Sequence, residues 1–132
     1  MTHAPLLVPV GDPAGVGPVV AITAAARAVH DDRVVLLGDA AWLERLASAR
    51  GVSTRRVSDV SEARVGQLAL LHVATWTDAM VTSHAPSAAG GEAQLVALDE
   101  AITLVLAGRG RAVVTGPTSK EAIVAAGHAF VG

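Results

Sequence analysis

The chain alternates short apolar runs with longer segments in which apolar residues recur at helical spacing. The short runs predict strands at residues 6–10, 33–37, 52–57, 68–73 and 112–115. The longer segments predict helices at residues 19–29, 40–49, 93–106 and 118–127. Strands that alternate with helices favour an α/β fold with a mostly parallel sheet. We therefore expect one α/β domain across residues 1–132.

Several residues mark where the predicted helices begin and end. Pro18 stands in the first turn of the first helix, where its missing N–H is no loss. Asp39 precedes the second helix and predicts an N-cap, because its carboxylate can accept hydrogen bonds from the free N–H groups of the first turn. Gly51 follows that helix, as expected where the chain leaves a helix in a left-handed conformation.

The second half of the chain is less regular. Residues 58–66 are polar and predict a loop, and residues 75–91 contain proline and glycine and predict no clear element. Thr118 and Glu121 stand three apart, which predicts a capping box at the start of the last helix, and Gly127 ends that helix. A new apolar element begins at residues 130–132, so we expect this chain to be the first part of a longer protein.

Composition narrows the class of protein. Hydrophobic residues make up 52% of the chain and aromatic residues 2%, so the core must pack from small and branched aliphatic side chains. A net charge of −2 gives no basic surface for nucleic acid or an anionic membrane. There is no cysteine, and no apolar run reaches the roughly 18 residues of a membrane span. We expect no nucleic-acid or membrane partner and a cytoplasmic location.

Residues 11–18 form the first candidate binding loop. Three glycines and two prolines lie between a predicted strand and a predicted helix, which is typical of a backbone that approaches a ligand at a helix N-terminus. The glycines do not fit the G-x-G-x-x-G dinucleotide pattern, and no Gly-Lys-Ser/Thr of a P-loop follows. A tight turn between strand and helix that Asp12 solvates explains the same residues, so the sequence leaves both interpretations open.

Residues 115–120, Thr-Gly-Pro-Thr-Ser-Lys, form the second candidate loop, again between a predicted strand and a predicted helix. Because ligands bind outside the carboxyl ends of strands in open α/β sheets, we expect both loops to line one crevice. Lys120 in the first turn of a helix opposes the helix dipole, which favours a role in binding an anionic ligand. An ordinary surface lysine would give the same pattern.

The other chemistry-bearing residues form no pattern. The five histidines include no H-x-H or H-x-x-x-H pair, and no carboxylate stands at ligand spacing from two of them. Ser83 and Ser119 lack the His and Asp pattern that marks a nucleophilic serine. We therefore expect no metal site formed by these residues alone, and the sequence assigns no catalytic residue.

The two loops together resemble the 4-hydroxythreonine-4-phosphate dehydrogenase family. Residues 10–18, Val-Gly-Asp-Pro-Ala-Gly-Val-Gly-Pro, are similar to its G-D/E-P-A-G-I/V-G-P loop. Residues 113–122, Val-Val-Thr-Gly-Pro-Thr-Ser-Lys-Glu-Ala, are similar to its V-T-G/A-P-x-x-K-E-A segment. Residues 126–132 resemble its A-G-x-x-F-x-G. The motifs follow one another in the family's order along nearly the whole chain.

The resemblance implies a three-layer α/β/α fold, the N-terminal part of a two-subdomain enzyme related to isocitrate and isopropylmalate dehydrogenases. It implies NAD or NADP and a divalent metal, with alcohol oxidation followed by decarboxylation of a small phosphorylated substrate in pyridoxal phosphate synthesis. It also implies a homodimer. The residues it places at the cleft are Asp12, Gly15 and Gly17 on one wall and Thr115, Gly116 and Lys120 on another.

The sequence departs from the family in two places. The family has His-Thr-Glu directly after the glycine that matches Gly132, and its metal-binding histidines lie further downstream, so the resemblance implies that this chain is inactive alone. Val19 stands where the family usually has an acidic residue. Three alternatives therefore remain. They are a non-catalytic binding or oligomerisation module, a related dehydrogenase for another diol or sugar-acid phosphate, and a small phosphate-binding protein.

Overall fold

Five short strands form one parallel sheet at the centre of the molecule. The computed structural model describes residues 3–130. The strands are β1 (Leu6–Pro9), β2 (Val34–Gly38), β3 (Thr54–Val57), β4 (Leu68–His72) and β5 (Ala112–Val113). Their order across the sheet is β3-β4-β2-β1-β5, and every neighbouring pair is parallel. All five predicted strands are confirmed, although β3 begins two residues later and β5 ends two residues earlier than predicted.

Helices connect the strands. They are α1 (Gly17–Ala28), α2 (Ala40–Ser48), the short α3 (Asp78–Thr82), α4 (Ala88–Leu106) and α5 (Lys120–Ala125), with a 3₁₀ turn at Val60–Glu62. The four predicted helices are confirmed, while α3 and the 3₁₀ turn lie in segments where the sequence predicted none. No helix within residues 3–130 is both long enough and apolar enough to cross a membrane.

The helices cover both faces of the sheet. One face packs Leu36 and Leu70 against α1 and α2, and the other packs Val35 and Leu37 against α4. The central strand β2 is buried at every position, as expected of a parallel strand covered on both sides. The mostly parallel α/β arrangement expected from the sequence is therefore confirmed as three layers.

Asp39 has the predicted capping role and a second role. One carboxylate oxygen accepts hydrogen bonds from the N–H groups of Ala41 and Trp42, at 2.9 and 3.1 Å. The other oxygen accepts from the N–H of Trp76 at 2.7 Å. Since Asp39 is buried, these bonds replace the water that its charge would otherwise need. The residue therefore fixes the loop after β4 as well as the start of α2.

The predicted start of the last helix is wrong by one residue. Ser119, and not Thr118, is the N-cap, and its hydroxyl accepts a hydrogen bond from the N–H of Ala122. Both residues are good caps by type, so local preference alone does not choose between them. The N–H of Ser119 donates to the side-chain oxygen of Gln94. This long-range contact with helix α4 determines which residue caps α5.

Helix α4 begins five residues earlier than predicted. Ser87 caps it by accepting from the N–H of Gly90 at 3.0 Å. The two glycines that argued against a helix here are needed for packing. A Cβ on Gly91 would lie 1.9 Å from the carbonyl oxygen of Ala122 in α5, so only glycine allows the two helices to approach so closely. Of the apolar element predicted at residues 130–132, Val131 and Gly132 lie outside the described residues.

Candidate functional site

The loops that follow β1 and β5 meet at the carboxyl edge of the sheet. From β1 the chain crosses to β2 on one side, whereas β5 pairs with β1 on the other side, so these two strands form the topological switch point of the sheet. Ligands of open α/β proteins bind at such points. The structure brings the two sequence motifs together here. The N–H of Asp12 donates to the carbonyl oxygen of Pro117 at 3.2 Å, and the N–H of Gly116 donates to Pro9 at 3.0 Å.

Three glycines allow this backbone-to-backbone contact. A Cβ on Gly11 would lie 2.0 Å from the carbonyl oxygen of Pro117, and Gly11 has a positive φ of 85°. A Cβ on Gly17 or Gly116 would lie 2.3 or 2.7 Å from the carbonyl oxygen of Val10. These glycines are therefore required by the packing of one loop on the other, which is sufficient reason for their presence without a ligand.

Asp12 lies within a tight turn and its hydrogen bonds satisfy the backbone of that turn, so the structural interpretation of residues 11–18 stays open beside the ligand-binding one. The residue is buried, and one carboxylate oxygen accepts from the N–H of Ala14 at 3.0 Å. Gly15 differs from its neighbours because it is exposed and a Cβ there would meet nothing closer than 3.6 Å. Of the three loop-one glycines, Gly15 is thus the one that packing does not explain and that a ligand can reach.

The polar candidates of the second loop are exposed. Lys120 is the first residue of α5, next to the capping Ser119, and Thr115 lies just beyond β5. Thr115 and Gly116 border an apolar groove of about 200 Å³ between α1 and β5. They therefore lie at the open side of the sheet and not inside an enclosed polar pocket.

Gln94 of α4 is a site residue that the sequence did not reveal. It is 3% exposed, and its side-chain oxygen accepts from the N–H of Ser119 at 2.8 Å. Its amide nitrogen is buried and has no hydrogen-bond partner among residues 3–130. Gly90 lies one turn earlier, and a Cβ there would lie 3.4 Å from a carboxylate oxygen of Asp12, so α4 passes close to both loops. A glutamine within an apolar helix pattern gives no signal of this contact, because the partner lies 25 residues away.

A second cavity, of about 390 Å³, lies at the carboxyl ends of β3 and β4 and is lined by His72, Asp59 and Arg109. These groups are already paired. Asp59 binds Arg109 and Ser61, and the ring nitrogens of His72 contact the N–H of Ala40 and the hydroxyl of Thr75. Hydrogen bonds from Ser61, then from Arg109, lower the pKa of Asp59 to about 2. Asp59, Arg109 and His72 are thus engaged with other groups of the protein, and the carboxylate of Glu100 also lines this cavity.

No group of three or more His, Cys, Asp or Glu side chains within residues 3–130 is arranged to hold a metal ion. His128, after α5, contacts Glu92 of α4, which is a pair and not a ligand set. The described residues therefore do not form a divalent-metal site, and no metal-assisted step can be assigned to them.

A parallel α/β sheet with two glycine-rich loops in contact at its switch point is the architecture of an α/β protein that binds a ligand outside the carboxyl ends of its strands. Within that class, the sequence identifies one family. The chain belongs to the family described as Pyridoxal phosphate biosynthetic protein PdxA, which matches residues 30–132.

Individual relatives agree with this family. The chain is 35% identical to 4-hydroxythreonine-4-phosphate dehydrogenase of Geobacter metallireducens, over 96% of this chain and 39% of the relative. It is 38% identical to the Burkholderia vietnamiensis enzyme of that name, over 100% of this chain and 39% of the relative. The chain thus spans about two-fifths of the length of these relatives.

Solved structures show the same partial coverage. The 4-hydroxythreonine-4-phosphate dehydrogenase of Burkholderia phymatum superposes with a TM-score of 0.82 and 32% identity, over 99% of this chain and 42% of that one. A terephthalate 1,2-cis-dihydrodiol dehydrogenase of Burkholderia xenovorans gives a TM-score of 0.74 and 29% identity, over 97% of this chain and 38% of that one. The fold of residues 3–130 is thus the fold of this portion of much longer chains.

Proposed function

We propose that this chain supplies one wall of the active-site cleft of an NAD(P)- and divalent-metal-dependent 4-hydroxythreonine-4-phosphate dehydrogenase. The observation that carries the proposal is the contact between the two family motifs at the switch point, where Asp12 binds Pro117. By the same family relation, the assembled enzyme is a cytoplasmic homodimer. It acts on a small phosphorylated hydroxy-amino acid and contributes to pyridoxal phosphate synthesis.

The candidate residues divide into two roles. Gly17 and Gly116 hold the loops together, and Asp12 fixes the first loop through Ala14. Gly15 and Thr115 offer exposed backbone and a hydroxyl, and Lys120 places a cation near anionic groups of substrate or cofactor. The nicotinamide cofactor supplies the hydride acceptor. The groups described here bind and orient, and none of them is positioned to remove a proton from substrate.

The first experiment compares this chain with a chimera. The chimera joins residues 1–132 to the part of the Geobacter metallireducens enzyme that lies beyond the match. With NAD, a divalent metal and 4-hydroxythreonine 4-phosphate, we expect turnover by the chimera and none by the chain alone. A folded chimera without turnover, or turnover by the chain alone, would contradict the proposal.

A second candidate substrate class follows from one comparison. The similarity to a terephthalate dihydrodiol dehydrogenase, at a TM-score of 0.74, indicates that this scaffold also serves an unphosphorylated cyclic diol. Lys120 can separate the two candidates when the diol that is tested carries no carboxylate or phosphate group, because the cation then has no anionic group of the substrate to bind. In the chimera, Lys120→Met is expected to reduce kcat/KM for the phosphate ester about 10- to 100-fold. The same change is expected to leave turnover of an uncharged cis-dihydrodiol nearly unaffected.

A further inference from the structure

The cavity of about 390 Å³ at the carboxyl ends of β3 and β4, called here the β3–β4 cavity, is separate from the candidate site. The two candidate loops follow β1 and β5, on the other side of the central strand β2. Ligands of open α/β sheets bind outside the carboxyl ends of strands, and small-molecule sites commonly have volumes of about 300–1,000 Å³. The position and the size of the β3–β4 cavity therefore both suit a second ligand.

Much of the lining of this cavity is apolar. Aliphatic side chains come from the turn after β3, from β4 and the segment that follows it, and from α4, and they are Val60, Leu71, Val73, Val96 and Leu104. Val96 is 38% exposed, whereas its helix neighbour Ala97 is buried in the core. An aliphatic lining with an exposed valine favours contact with the apolar body of an organic ligand over contact with a hydrated inorganic ion.

The charged groups of the lining do not cancel. The carboxylate of Asp59 and the guanidinium of Arg109 are in direct contact and neutralise each other. Glu100 of α4 adds a second carboxylate, which has no hydrogen-bond or ion-pair partner among residues 3–130. Two carboxylates and one guanidinium leave the lining with one negative charge in excess, and this charge is on Glu100.

His72 does not compensate for this charge. Its Nδ1 atom accepts a hydrogen bond from the N–H of Ala40 at 3.1 Å, so this nitrogen carries no proton. The ring proton is therefore on Nε2, which donates to the hydroxyl of Thr75 at 3.1 Å. The carboxylate of Asp39 lies 4.0 Å from Nδ1, too far for a hydrogen bond. His72 is thus present as one neutral tautomer.

The remaining charge selects among ligand classes. An anion fits poorly, because the guanidinium of Arg109 is already bound by Asp59. A bare metal ion also fits poorly, because no three carboxylate or histidine side chains within residues 3–130 are arranged as a ligand set. An unpaired carboxylate next to aliphatic side chains is complementary to an ammonium group carried on an apolar body.

We propose that the β3–β4 cavity is a second binding site, which takes a small organic ammonium compound. The cation lies against the carboxylate of Glu100, and the apolar body lies against Val96 and Leu104. The site uses none of the residues assigned to the dehydrogenase cleft. Its occupancy therefore does not depend on the function proposed above.

Titration of the chain with benzylammonium, followed by ¹H–¹⁵N NMR, tests this proposal. The amide signals of Val73 and Val96 are expected to shift saturably with a Kd on the order of 1 mM. Benzyl alcohol has the same ring without the cation and reports binding that the ring alone drives, in this cavity or in the groove beside α1. It is expected to bind the β3–β4 cavity at least about 5-fold more weakly. Benzoate is expected to cause no saturable shift of these two signals.

Three variants at exposed positions of α4 sharpen the test. Glu100→Gln is expected to weaken benzylammonium binding at least about 5-fold and to leave benzyl alcohol binding unchanged. Asp99→Asn removes the same charge from the neighbouring residue, which does not line the cavity, and is the matched control with no expected effect. Glu100→Lys reverses the charge and is expected to make the cavity prefer benzoate to benzylammonium.

The proposal fails if the Val73 and Val96 signals show no saturable shift up to about 50 mM benzylammonium. Equal binding of benzoate and benzylammonium to the original chain would also overturn it, since charge would then not select the ligand. An equal loss of affinity in Asp99→Asn and Glu100→Gln would assign the effect to the net charge of the chain. Unchanged affinity in Glu100→Gln would remove Glu100 from the site.

Discussion

The two edge strands of the sheet, β3 and β5, carry different kinds of side chain. The β3 edge carries Arg55 and Arg56, and Arg56 forms an exposed ion pair with Glu44 of α2 at 3.2 Å. Charged side chains of this kind discourage another strand from pairing with an edge. The β5 edge carries Val113 and Val114 and no charged residue within the strand. One edge is thus protected by charge from pairing with another strand, and the other is apolar and lies beside the two candidate binding loops.

This difference shows where the molecule depends on further structure. The β3 side carries charged side chains, of which Arg56 is paired with Glu44, while one buried nitrogen of Arg55 has no hydrogen-bond partner within residues 3–130. On the β5 side the loops pack backbone against backbone, but the surface they border is uncovered. The candidate site therefore lies at the open side of the sheet, where its residues form a wall and not an enclosed pocket.

The largest expected effect compares a glycine from each side. Gly11 and Gly51 both have positive φ, 85° and 70°, but a Cβ on Gly11 would meet the oxygen of Pro117 at 2.0 Å and one on Gly51 would meet nothing. We expect Gly51→Ala to cost about 1 kcal/mol for the backbone conformation alone. Gly11→Ala is expected to cost more than about 3 kcal/mol, because the two loops must separate. Urea unfolding measures both, and equal costs would contradict the loop contact.

A buried hydrogen bond near β5 is expected to be worth more than an exposed ion pair near β3. Gln94→Leu removes the acceptor of the Ser119 N–H and is expected to destabilise the chain by about 1 kcal/mol. Arg56→Met breaks the pair with Glu44 and is expected to cost less than about 0.5 kcal/mol, since both side chains are about half exposed. The order of the two free energies of unfolding is the test, and the reverse order would be inconsistent with it.

Substitutions can also change the charge of each edge strand of the sheet. Arg56→Val removes the exposed arginine of β3 while Arg55 stays, and is expected to increase self-association of the chain with little change in stability. Val114→Lys charges the β5 edge and is expected to reduce whatever self-association the chain shows. Light scattering over a concentration series measures both. If Arg56→Val stays as monodisperse as the original chain, charge is not what protects the β3 edge.

The smallest expected effect concerns pH. Hydrogen bonds from Ser61 and Arg109 hold the pKa of Asp59 at about 2, below its ordinary value of 3.8. A carboxyl group with a lowered folded-state pKa stabilises the fold above the ordinary value, and this stabilisation disappears as the pH falls through about 2. Asp59→Asn is therefore expected to lower Tm by about 2 °C or less near pH 7, with the difference shrinking below about pH 4. A difference that grows in acid would contradict this assignment.

Much of the fold could be predicted from the sequence because it depends on local pattern. The apolar run that became β2 and the Asp39 cap of α2 need only their own neighbours to be identified. Residues whose roles depend on distant partners could not be found. Ser119 caps α5 because its N–H donates to Gln94. Position 91 requires glycine because α5 packs directly against it. Both contacts join segments about 25 or more residues apart, so neither composition nor residue spacing predicts them.

The candidate site could likewise be predicted only where it depends on local pattern. The positions of the two loops followed from strand ends, and the structure places the loops in contact as expected. Their separate roles did not follow. Gly11, Gly17 and Gly116 serve the contact itself, whereas Gly15 is exposed and uncrowded. Only the three-dimensional arrangement distinguishes a glycine that packing requires from one that a ligand can approach.

The most direct test of the central claim uses Lys120, the one lysine of the sequence. Reductive methylation with ¹³C-formaldehyde labels Lys120 and the N-terminal amine of the chimera whose downstream part has each lysine replaced by arginine. The N-terminal signal is the internal reference. If the loops form one wall of the cleft, 4-hydroxythreonine 4-phosphate will shift the Lys120 signal saturably and leave the reference unchanged. A Lys120 signal that stays constant while the same sample binds the substrate by calorimetry would show that the cleft lies elsewhere.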